Sequence, residues 1–387
     1  MKASAEAPKV RAPWVDAITG QVLGVVAAFV FAGVIGGAII AAYGESPLRV
    51  YGIVIDFSTA RFQDVARVLE NATPLIFSGL AVAVAFRAGM FNIGVEGQYY
   101  VGMLTATVAA VAFDLPGILH MIVVIVFAIL GGTLWAAIPA ILKVKTGAHE
   151  VVTTIMMNGI AVSLVGWALN NPLRATDGGL VDLRSDRFPD SALVPHLGRS
   201  LGLDSETIPN SVNLTWLFPL ALLACVGVWF LLSRTKLGYE ARATGMSPGS
   251  AEAGGVSIGG IQLKTFLISG ALAGFVGLNH LLGDAGFLGI NYETTLGFTG
   301  IGVAFLGRNH PAGIALAAIL LGMIARGQDG VAISTDLPTE ILIILEGLLI
   351  LSVVVAYEVV RRVLLRRRQR VVRAEEETPE EAARAPA

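Results

Sequence analysis

Long apolar stretches without a charged residue alternate with shorter polar segments along most of the chain. Four of them contain no Asp, Glu, Lys, Arg or His, namely Ala17–Gly44, Gly97–Phe113, Val151–Leu169 and Asn210–Ser233. A helix of about 20 apolar residues is long enough to cross the hydrocarbon core of a bilayer. The pattern therefore predicts an all-α, polytopic membrane protein.

About ten stretches are apolar enough to be transmembrane helices, including short or broken ones. Two of them, Thr294–Leu306 and Pro311–Ala325, are shorter than about 20 residues, which predicts tilted spans or half-helices. The other predicted helices are approximately Ala17–Tyr43, Val68–Phe86, Val95–Phe113, Ile118–Leu142, Val151–Leu169, Val212–Leu232, Ile258–Leu282 and Thr339–Val360. Gly44–Arg67, between the first two, is predicted to be a mixed-charge loop.

The distribution of basic residues predicts the orientation of these helices. With the N-terminus inside, the inner segments hold 18 of the 27 Lys and Arg residues, or 19 with Lys264, and the outer segments hold 8. Cytoplasmic segments are enriched in Lys and Arg, so both termini are predicted to be cytoplasmic. The resulting organisation is an N-terminal arm (residues 1–16), a transmembrane domain (17–360) with an extracytoplasmic loop (170–209) and a cytoplasmic segment (233–256), and a charged cytoplasmic tail (361–387).

The composition supports a membrane protein. The chain is 55% hydrophobic and 14% charged, with a mean hydropathy of +0.72, whereas soluble domains carry about 25% charged residues. Forty-five glycines fit helices that approach one another closely. A net charge of −2 gives no basic field that would attract a nucleic-acid polymer.

The sequence offers little for catalysis. Neither Lys145-Thr146 nor Lys264-Thr265 follows the glycine that a phosphate-binding Gly-Lys-Ser/Thr loop requires, so this chain is not predicted to bind ATP. The five His residues are scattered, which gives no metal-ligand spacing. Cys225 lies in an apolar run without a polar neighbour to activate it. We therefore expect no enzyme activity, metal or cofactor in this chain.

Sparse polar residues at membrane depth are the candidates for a functional site, because such groups are costly in lipid and tend to face a cavity or a partner. The densest group, Asn92 to Gln98, can cap a helix at the membrane surface, line a cavity, or do both. Asn158 and Asn279 can instead form hydrogen bonds between helices. Glu346 is a lone carboxylate whose role stays open. The candidates for a substrate path are Phe91, Asn92, Glu96, Gln98, Tyr99, Asn158 and Asn279.

The longest cytoplasmic polar interruption is Ser233–Val256. It predicts a short helix near Leu237–Thr244 and a break at Gly245–Gly249. Such a segment can simply join two membrane helices, or it can be a coupling helix that docks on a separate motor subunit. The candidate coupling residues are Leu237, Glu240, Ala241, Arg242 and Gly245.

Three blocks in order resemble one family, the ATP-binding-cassette (ABC) permeases of the branched-chain amino acid, ribose and simple-sugar type. Gly89–Gln98 resembles the family signature, and Glu150–Asn158 resembles the start of its fifth helix. Gly297–Pro311 resembles its helix 8–9 junction and is most similar to the nucleoside-import branch. The resemblance covers about Glu70 to Leu351. Within it, Glu240-Ala241 followed by Gly245 is similar to the coupling loop of ABC permeases.

The resemblance implies a permease that forms the translocation path of an importer in a bacterial cell membrane. ATP and Mg²⁺ would bind a partner ATPase subunit, and an extracytoplasmic lipid-anchored protein would deliver the substrate. Nucleoside importers of this type usually pair two different permeases. The mixed charge of Asn170–Pro209 suits a docking surface for the binding protein. Asn279-His280 departs from the Glu-containing segment of the family, which leaves the choice of substrate open.

Other functions stay possible at this point. The same machine can import a simple sugar such as ribose. A proton- or sodium-coupled carrier would use Glu96 and Glu346 as coupling groups, but it would not need the large cytoplasmic segment. A membrane enzyme or scaffold is the third class.

Overall fold

A computed structural model describes most of the chain. The described residues are 13–176, 183–202, 209, 212–338, 340–352, 355 and 359, with the backbone alone for 13–25. The first twelve residues of the predicted N-terminal arm and the whole predicted tail (361–387) lie outside the described residues.

The described residues are almost entirely helical. Extended pairing within these residues consists of two isolated β-bridges, Arg184 with Gly289 and His196 with Thr215. A 3-10 turn spans Asp190–Ala192, a π-helix spans Asn279–Ala285, and residues 340–352 are also helical. The α-helices are α1 (Pro13–Ala42), α2 (Pro47–Thr59), α3 (Phe62–Arg87), α4 (Val95–Ala112), α5 (Gly117–Thr146), α6 (Glu150–Asn170), α7 (Leu197–Ser200), α8 (Leu217–Arg234), α9 (Lys236–Met246), α10 (Pro248–Ala253), α11 (Ile258–Ala273), α12 (Leu296–Leu306) and α13 (Pro311–Ser334).

Five helices, α3, α5, α6, α8 and α13, are long and apolar enough to cross a membrane. The bent helix pair Val26–Ala42 and Pro47–Thr59 makes a sixth candidate if it counts as one broken span. The prediction of an all-α membrane protein is confirmed at this level. The count of about ten crossings and the orientation of the termini stay predictions.

The described residues form two compact units. The larger is Tyr51–Ser334, and the smaller consists of the described residues up to Val50 and from Thr335 onward. In the smaller unit, Ile40 and Val50 are fully buried, and Leu337 and Ile341 are nearly so. The candidate residues from Phe91 to Asn279 all lie in the larger unit.

Helix α3 is the centre of the larger unit, where it packs against α8, α11, α12 and α13. In its most apolar window 83% of the residues are buried, against 28% for α5, α6 and α8. Those peripheral helices expose large apolar side chains such as Leu134, Met156 and Leu223. An apolar outer surface around a small-residue core is what helices facing lipid require.

Helices α5 and α11 approach each other closely because glycines stand at their contact. A Cβ on Gly132 of α5 would overlap the carbonyl oxygen of Gly270 on α11. The two helices can therefore pack backbone to backbone, as small residues allow in membranes.

The prediction that Gly44–Arg67 is a loop was wrong. This stretch contains α2 and the first residues of α3. Val54 and Phe57 of α2 pack against Gly327 and Gly330 of α13, whose missing side chains leave room for them. The charged residues of α2, Arg49 and Asp56, are exposed on the other face of an amphipathic helix, so the mixed charge did not signal a loop.

Three other predicted boundaries are corrected. One helix was predicted for Ile258–Leu282. In the structure α11 ends at Ala273, and the chain continues through turns into the π-helix. The helix predicted from Val212 starts instead at Leu217, whose backbone N–H donates to Thr215 Oγ1 at 3.2 Å. Helix α13 extends past Ala325 to Ser334. Its added turns hold Arg326, whose Nη2 donates to Asp64 Oδ1 on α3 at 2.8 Å.

Candidate functional site

The Asn92 side chain is the hub of a buried amide cluster between α3, α4 and α11. Its Nδ2 donates to Gln98 Oε1 at 2.9 Å and to Ser269 Oγ at 2.8 Å. Its Oδ1 accepts from Gln98 Nε2 at 3.0 Å and from the Gly94 N–H at 2.9 Å. Asn92 and Gln98 are each 1% exposed. The chain itself therefore satisfies these amides, and the cluster fixes the turn between α3 and α4.

Asn158 connects α6 to the same turn. Its Oδ1 accepts from the Gly97 N–H at 2.9 Å, and its Nδ2 donates to the Ile93 carbonyl at 3.0 Å. One amide thus satisfies a free backbone N–H in the first turn of α4 and a loop carbonyl before it. Asn158 was a candidate either for a substrate contact or for a hydrogen bond between helices. The geometry matches the second, because the amide joins α6 to α4 and to the turn before it.

Glu96 is bonded to the N-terminus of α12. Its Oε1 accepts from the Thr295 N–H at 2.6 Å, and its Oε2 accepts from the Gly297 N–H at 2.7 Å. A carboxylate at this position also interacts favourably with the helix dipole. A Cβ on Gly297 would lie 2.5 Å from the Glu96 backbone nitrogen, so the glycine is needed for this close approach.

Two tyrosines of α4 complete the surroundings of Glu96. The Tyr100 hydroxyl donates to Glu96 Oε1, and the Tyr99 hydroxyl lies 3.0 Å from that oxygen. The Tyr99 hydroxyl also lies 2.9 Å from the Glu293 carbonyl oxygen. The groups around the Glu96 carboxylate therefore come from α4 and from the N-terminus of α12.

Phe91 and Tyr99 do not present free flat surfaces within this chain. The Phe91 ring stacks on Phe305, with centroids 6.2 Å apart, and meets the edge of Phe86. Tyr99 is fully buried. Their suggested role along a substrate path stays a prediction.

Asn279 lies apart from the amide cluster, in a pocket at the far end of α3. The pocket is small, with a volume of about 40 Å³, and it is partly open to solvent. Three carboxylates, two amides and a histidine line it, with two apolar residues: Glu70, Asp284, Glu293, Asn71, Asn279, His280, Pro74 and Val276. We call this the acidic pocket.

The π-helix brings pocket residues onto one face. Within its seven residues it holds three residues of the pocket lining, Asn279, His280 and Asp284. His280 Nδ1 lies 3.4 Å from Asp284 Oδ2. Glu293, which also lines the pocket, is an exposed residue.

The segment before α8 forms one wall of the acidic pocket. The Asn213 N–H donates to Glu70 Oε2 at 3.0 Å, and its Nδ2 donates to Asp284 Oδ1 at 2.7 Å. Thr215 Oγ1 donates to Asn279 Oδ1 at 2.9 Å. Glu70 and Asp284 are therefore partly satisfied, and Asn279 is fixed in orientation.

Helices α9 and α10 form the segment singled out as a coupling candidate. Thr235 caps α9 by accepting from the Gly238 N–H at 3.2 Å. Ala241 is fully buried against Ala88 and Ile261. Gly245 lies against the turn after α3, where a Cβ would overlap the Arg87 carbonyl oxygen.

The remaining coupling candidates lie nearer the surface of α9. Leu237, Glu240 and Arg242 are half-buried. Glu240 pairs with Lys236, with 3.6 Å between Oε1 and Nζ. Tyr239 and Met246 are 65% and 87% exposed. The helix predicted near Leu237–Thr244 is therefore present, and it is slightly longer.

Comparison with known proteins identifies the family. Residues 65–354 match the model described as branched-chain amino acid transport system / permease component. The chain belongs to this permease family. The resemblance drawn from the three sequence blocks is thereby confirmed.

Several curated relatives cover most of the permease. The guanosine ABC transporter permease protein NupP of Bacillus subtilis is 36% identical over 76% of this chain and 82% of its own length. The glucose ABC transporter permease protein TsgB13 of Haloferax volcanii is 31% identical over 83% of each chain. The nucleoside ABC transporter permease protein NupB of Lactococcus lactis is 28% identical over 88% of this chain and 92% of its own length.

The sequence did not reveal the acidic pocket of the permease. Only Asn279 was singled out, whereas Glu70, Asp284 and Glu293 come from three separate segments. The spacing of Asn279, His280 and Asp284 at the end of a predicted span was the one local signal. The convergence of the other two carboxylates needs the tertiary fold.

Proposed function

We propose that this permease is the membrane subunit of an ATP-driven importer of nucleosides. The similarity to the guanosine permease, 36% identity over 76% of this chain, carries the proposal. A nucleoside is neutral and carries many hydrogen-bonding groups, so its path should be polar and mostly uncharged. The Asn279 amide, which lines a pocket, suits such a path, whereas Gln98 and Asn158 are bonded within the chain.

The proposed machine has several parts. ATP and Mg²⁺ bind a partner ATPase, a second and different permease completes the path, and an extracytoplasmic lipoprotein delivers the substrate. The exposed Tyr239 and Met246 support docking of α9 on the ATPase, because residues seven apart share one face of a helix. The Asn170–Pro209 loop is the proposed contact for the binding protein.

The proposed topology has about ten crossings in a bacterial cell membrane, with both termini in the cytoplasm. The excess of Lys and Arg on the inner segments supports it. In this arrangement α9 lies on the cytoplasmic side and the acidic pocket lies on the outer side.

Uptake in bacterial cells tests the substrate. We expect removal of this chain to reduce the uptake of labelled guanosine and uridine to background, and re-expression to restore it. Glucose uptake should not change. Purified alone, the chain should show no ATPase activity, and robust uptake driven by a proton gradient in liposomes containing only this chain would contradict the proposal.

Import of a simple sugar is the second candidate, because the glucose permease of Haloferax volcanii is 31% identical over 83% of this chain. A loss of glucose or ribose uptake on removal of the chain, with unchanged nucleoside uptake, would favour it.

A charge reversal tests the coupling role of α9. Glu240→Arg should weaken assembly with the ATPase, or lower the ATPase activity of the assembled complex, because it inverts the charge on the proposed docking helix. Co-purification and ATP hydrolysis measure the effect. The control is Glu252→Arg on the exposed part of α10, and equal effects of the two changes would speak against a specific contact at Glu240.

A further inference from the structure

Helix α12 is short and has a strained backbone at both ends. Its 11 residues rise about 16 Å, roughly half of the hydrocarbon core of a bilayer. Among the described residues, the non-glycine residues with a positive φ are Thr295 (73°), Arg308 (58°) and Asn309 (52°). Thr295 directly precedes α12, and the other two lie in the turn between α12 and α13. Such conformations cost free energy, persist only where the surrounding structure holds them, and are concentrated in functional segments such as switches.

A side chain from another helix holds each end of α12. At the N-terminal end, Glu96 of α4 accepts hydrogen bonds from the Thr295 and Gly297 N–H groups. At the C-terminal end, Arg87 Nη2 donates to the Asn309 carbonyl oxygen at 2.9 Å. Arg87 is the last residue of α3. The Arg87 bond therefore fixes the strained turn to the end of α3, as Glu96 fixes the other end of α12 to α4.

The turn after α3 also touches the proposed docking helix α9. A Cβ on Gly245 would lie 2.4 Å from the Arg87 carbonyl oxygen and 3.2 Å from the Gly89 nitrogen. Beside this contact, Ala88 is buried together with Ala241 of α9. The two backbones are thus in direct contact, and a shift of α9 displaces the turn that carries Arg87.

The junction of α3, α9 and the α12–α13 turn contains buried polar atoms that are not paired. Three of them lack a hydrogen-bond partner in the described part of the chain: Arg87 Nε, which is a donor, Asn309 Oδ1, which is an acceptor, and the hydroxyl of Thr244, the residue before Gly245. Leaving such groups unpaired costs free energy. A shift that pairs them recovers this cost, so the junction is suited to change between two packing arrangements.

We propose that Arg87 is a positioning residue that passes movement of α9 to α12 and so couples ATP hydrolysis on the partner subunit to the substrate path. This inference rests on the proposed function, in which α9 docks on the ATPase. Helix α9 acts on the turn after α3 through Gly245, the Arg87 guanidinium carries the Asn309 carbonyl with it, and α12 shifts as a unit. The other end of α12 then moves relative to Glu96. In transporters, short helices that end inside the protein commonly form the substrate site.

The test measures coupling and not folding. The importer is purified through a tag on this chain and placed in proteoliposomes together with its ATPase and binding protein. The measured quantity is the number of uridine molecules taken up for each ATP hydrolysed. Protein that does not assemble contributes to neither number, so a defect of folding or assembly alone leaves this ratio unchanged.

We expect Arg87→Met, which keeps an apolar stem and removes the donors, to lower the ratio by roughly tenfold, as the loss of a hydrogen bond from a charged group does. Arg87→Lys keeps a charged donor, so its ratio should stay within about threefold of that of the unaltered protein. Lys145→Met removes an exposed cation in the last turn of α5. It is the matched control and should leave the ratio unchanged.

A second pair of variants disturbs the same junction from α9. Gly245→Ala places a methyl group against the Arg87 carbonyl oxygen and should also lower the ratio. Gly249→Ala on the exposed part of α10, where a Cβ meets no atom within 4 Å, should not. This pair replaces Arg87→Met if that variant does not reach the membrane in normal amounts.

The possible results separate the role of Arg87 from the proposed function. An unchanged ratio in Arg87→Met, or in Gly245→Ala where it takes the place of Arg87→Met, would overturn the role of Arg87. Equal losses in Arg87→Met and Arg87→Lys would overturn it as well. These results leave nucleoside import intact. An unaltered importer that takes up neither uridine nor guanosine, or that takes them up without ATP, would overturn the proposed function itself.

Discussion

The two polar sites of the larger unit use the same kinds of side chain in opposite ways. At Glu96 the carboxylate is surrounded by donors from Tyr99, Tyr100, Thr295 and Gly297. Glu293 is exposed, and its carboxylate receives no hydrogen bond among the described residues. A buried carboxylate needs donors from the chain and thereby fixes one packing arrangement, whereas an exposed carboxylate is solvated by water.

The same contrast holds for the amides. Asn92 makes four hydrogen bonds with its own chain. Asn279 makes one with its side chain and lines a pocket. Polarity at membrane depth therefore does not identify a substrate contact.

The largest expected effect is the loss of Glu96. Glu96→Ala would leave the Thr295 and Gly297 N–H groups unpaired, at about 1–3 kcal/mol each. We expect a severalfold lower yield of folded protein and a lower thermal unfolding midpoint, measured by fluorescence-detected size exclusion. Glu252→Ala, which removes an exposed carboxylate on α10, is the control. Wild-type stability of Glu96→Ala would remove the distinction between the two carboxylates.

The contrast between Asn92 and the pocket amides predicts a smaller loss of stability than the one expected for Glu96→Ala. Asn92→Ala should destabilise the protein by about 1–3 kcal/mol, because Ser269, Gln98 and Gly94 lose a buried partner. Asn71→Ala in the acidic pocket is the matched change, since no hydrogen bond of its side chain is present in the described structure. Thermal unfolding of both variants is the measurement, and equal midpoints would show that Asn92 is not a structural hub.

Thr215 fixes the orientation of Asn279 in the acidic pocket. Thr215→Val removes the donor that orients Asn279, so the KM for uridine uptake should rise severalfold. The stability cost should be about 1 kcal/mol, that of one ordinary hydrogen bond. Thr59→Val on α2, which removes an exposed hydroxyl bonded to the Ile55 carbonyl, is the control. An unchanged KM would argue against Asn279 as a ligand contact.

The smallest expected effect is at Tyr99, which touches both sites. Tyr99→Phe removes one hydroxyl, and Glu96 keeps its three other donors, so we expect a loss of about 1 kcal/mol in stability and a small rise in KM. Tyr239→Phe on the exposed face of α9 serves as the control. A loss of stability as large as that of Glu96→Ala would mean that Tyr99 is the main partner of Glu96.

Much of the fold followed from local pattern. The helices α4, α5 and α6 begin and end within a few residues of the predicted bounds, because long apolar runs between polar turns have one favourable solution in a membrane. The helix α9 was also expected. By contrast, α2 was taken for a loop, since its helical state depends on packing against glycines of α13 that lie far away in the sequence.

The membrane character, the permease family and the polar residues around Asn92 and Glu96 could be predicted from the sequence. These properties depend on composition and on motifs that are contiguous in the chain. The tertiary structure alone decided which polar residues are satisfied. Glu96 meets donors about 200 residues away, and the acidic pocket joins α3, the π-helix and the loop before α12. Hydrogen bonds and cavities depend on distances between remote segments, and the order of residues in the chain does not contain them directly.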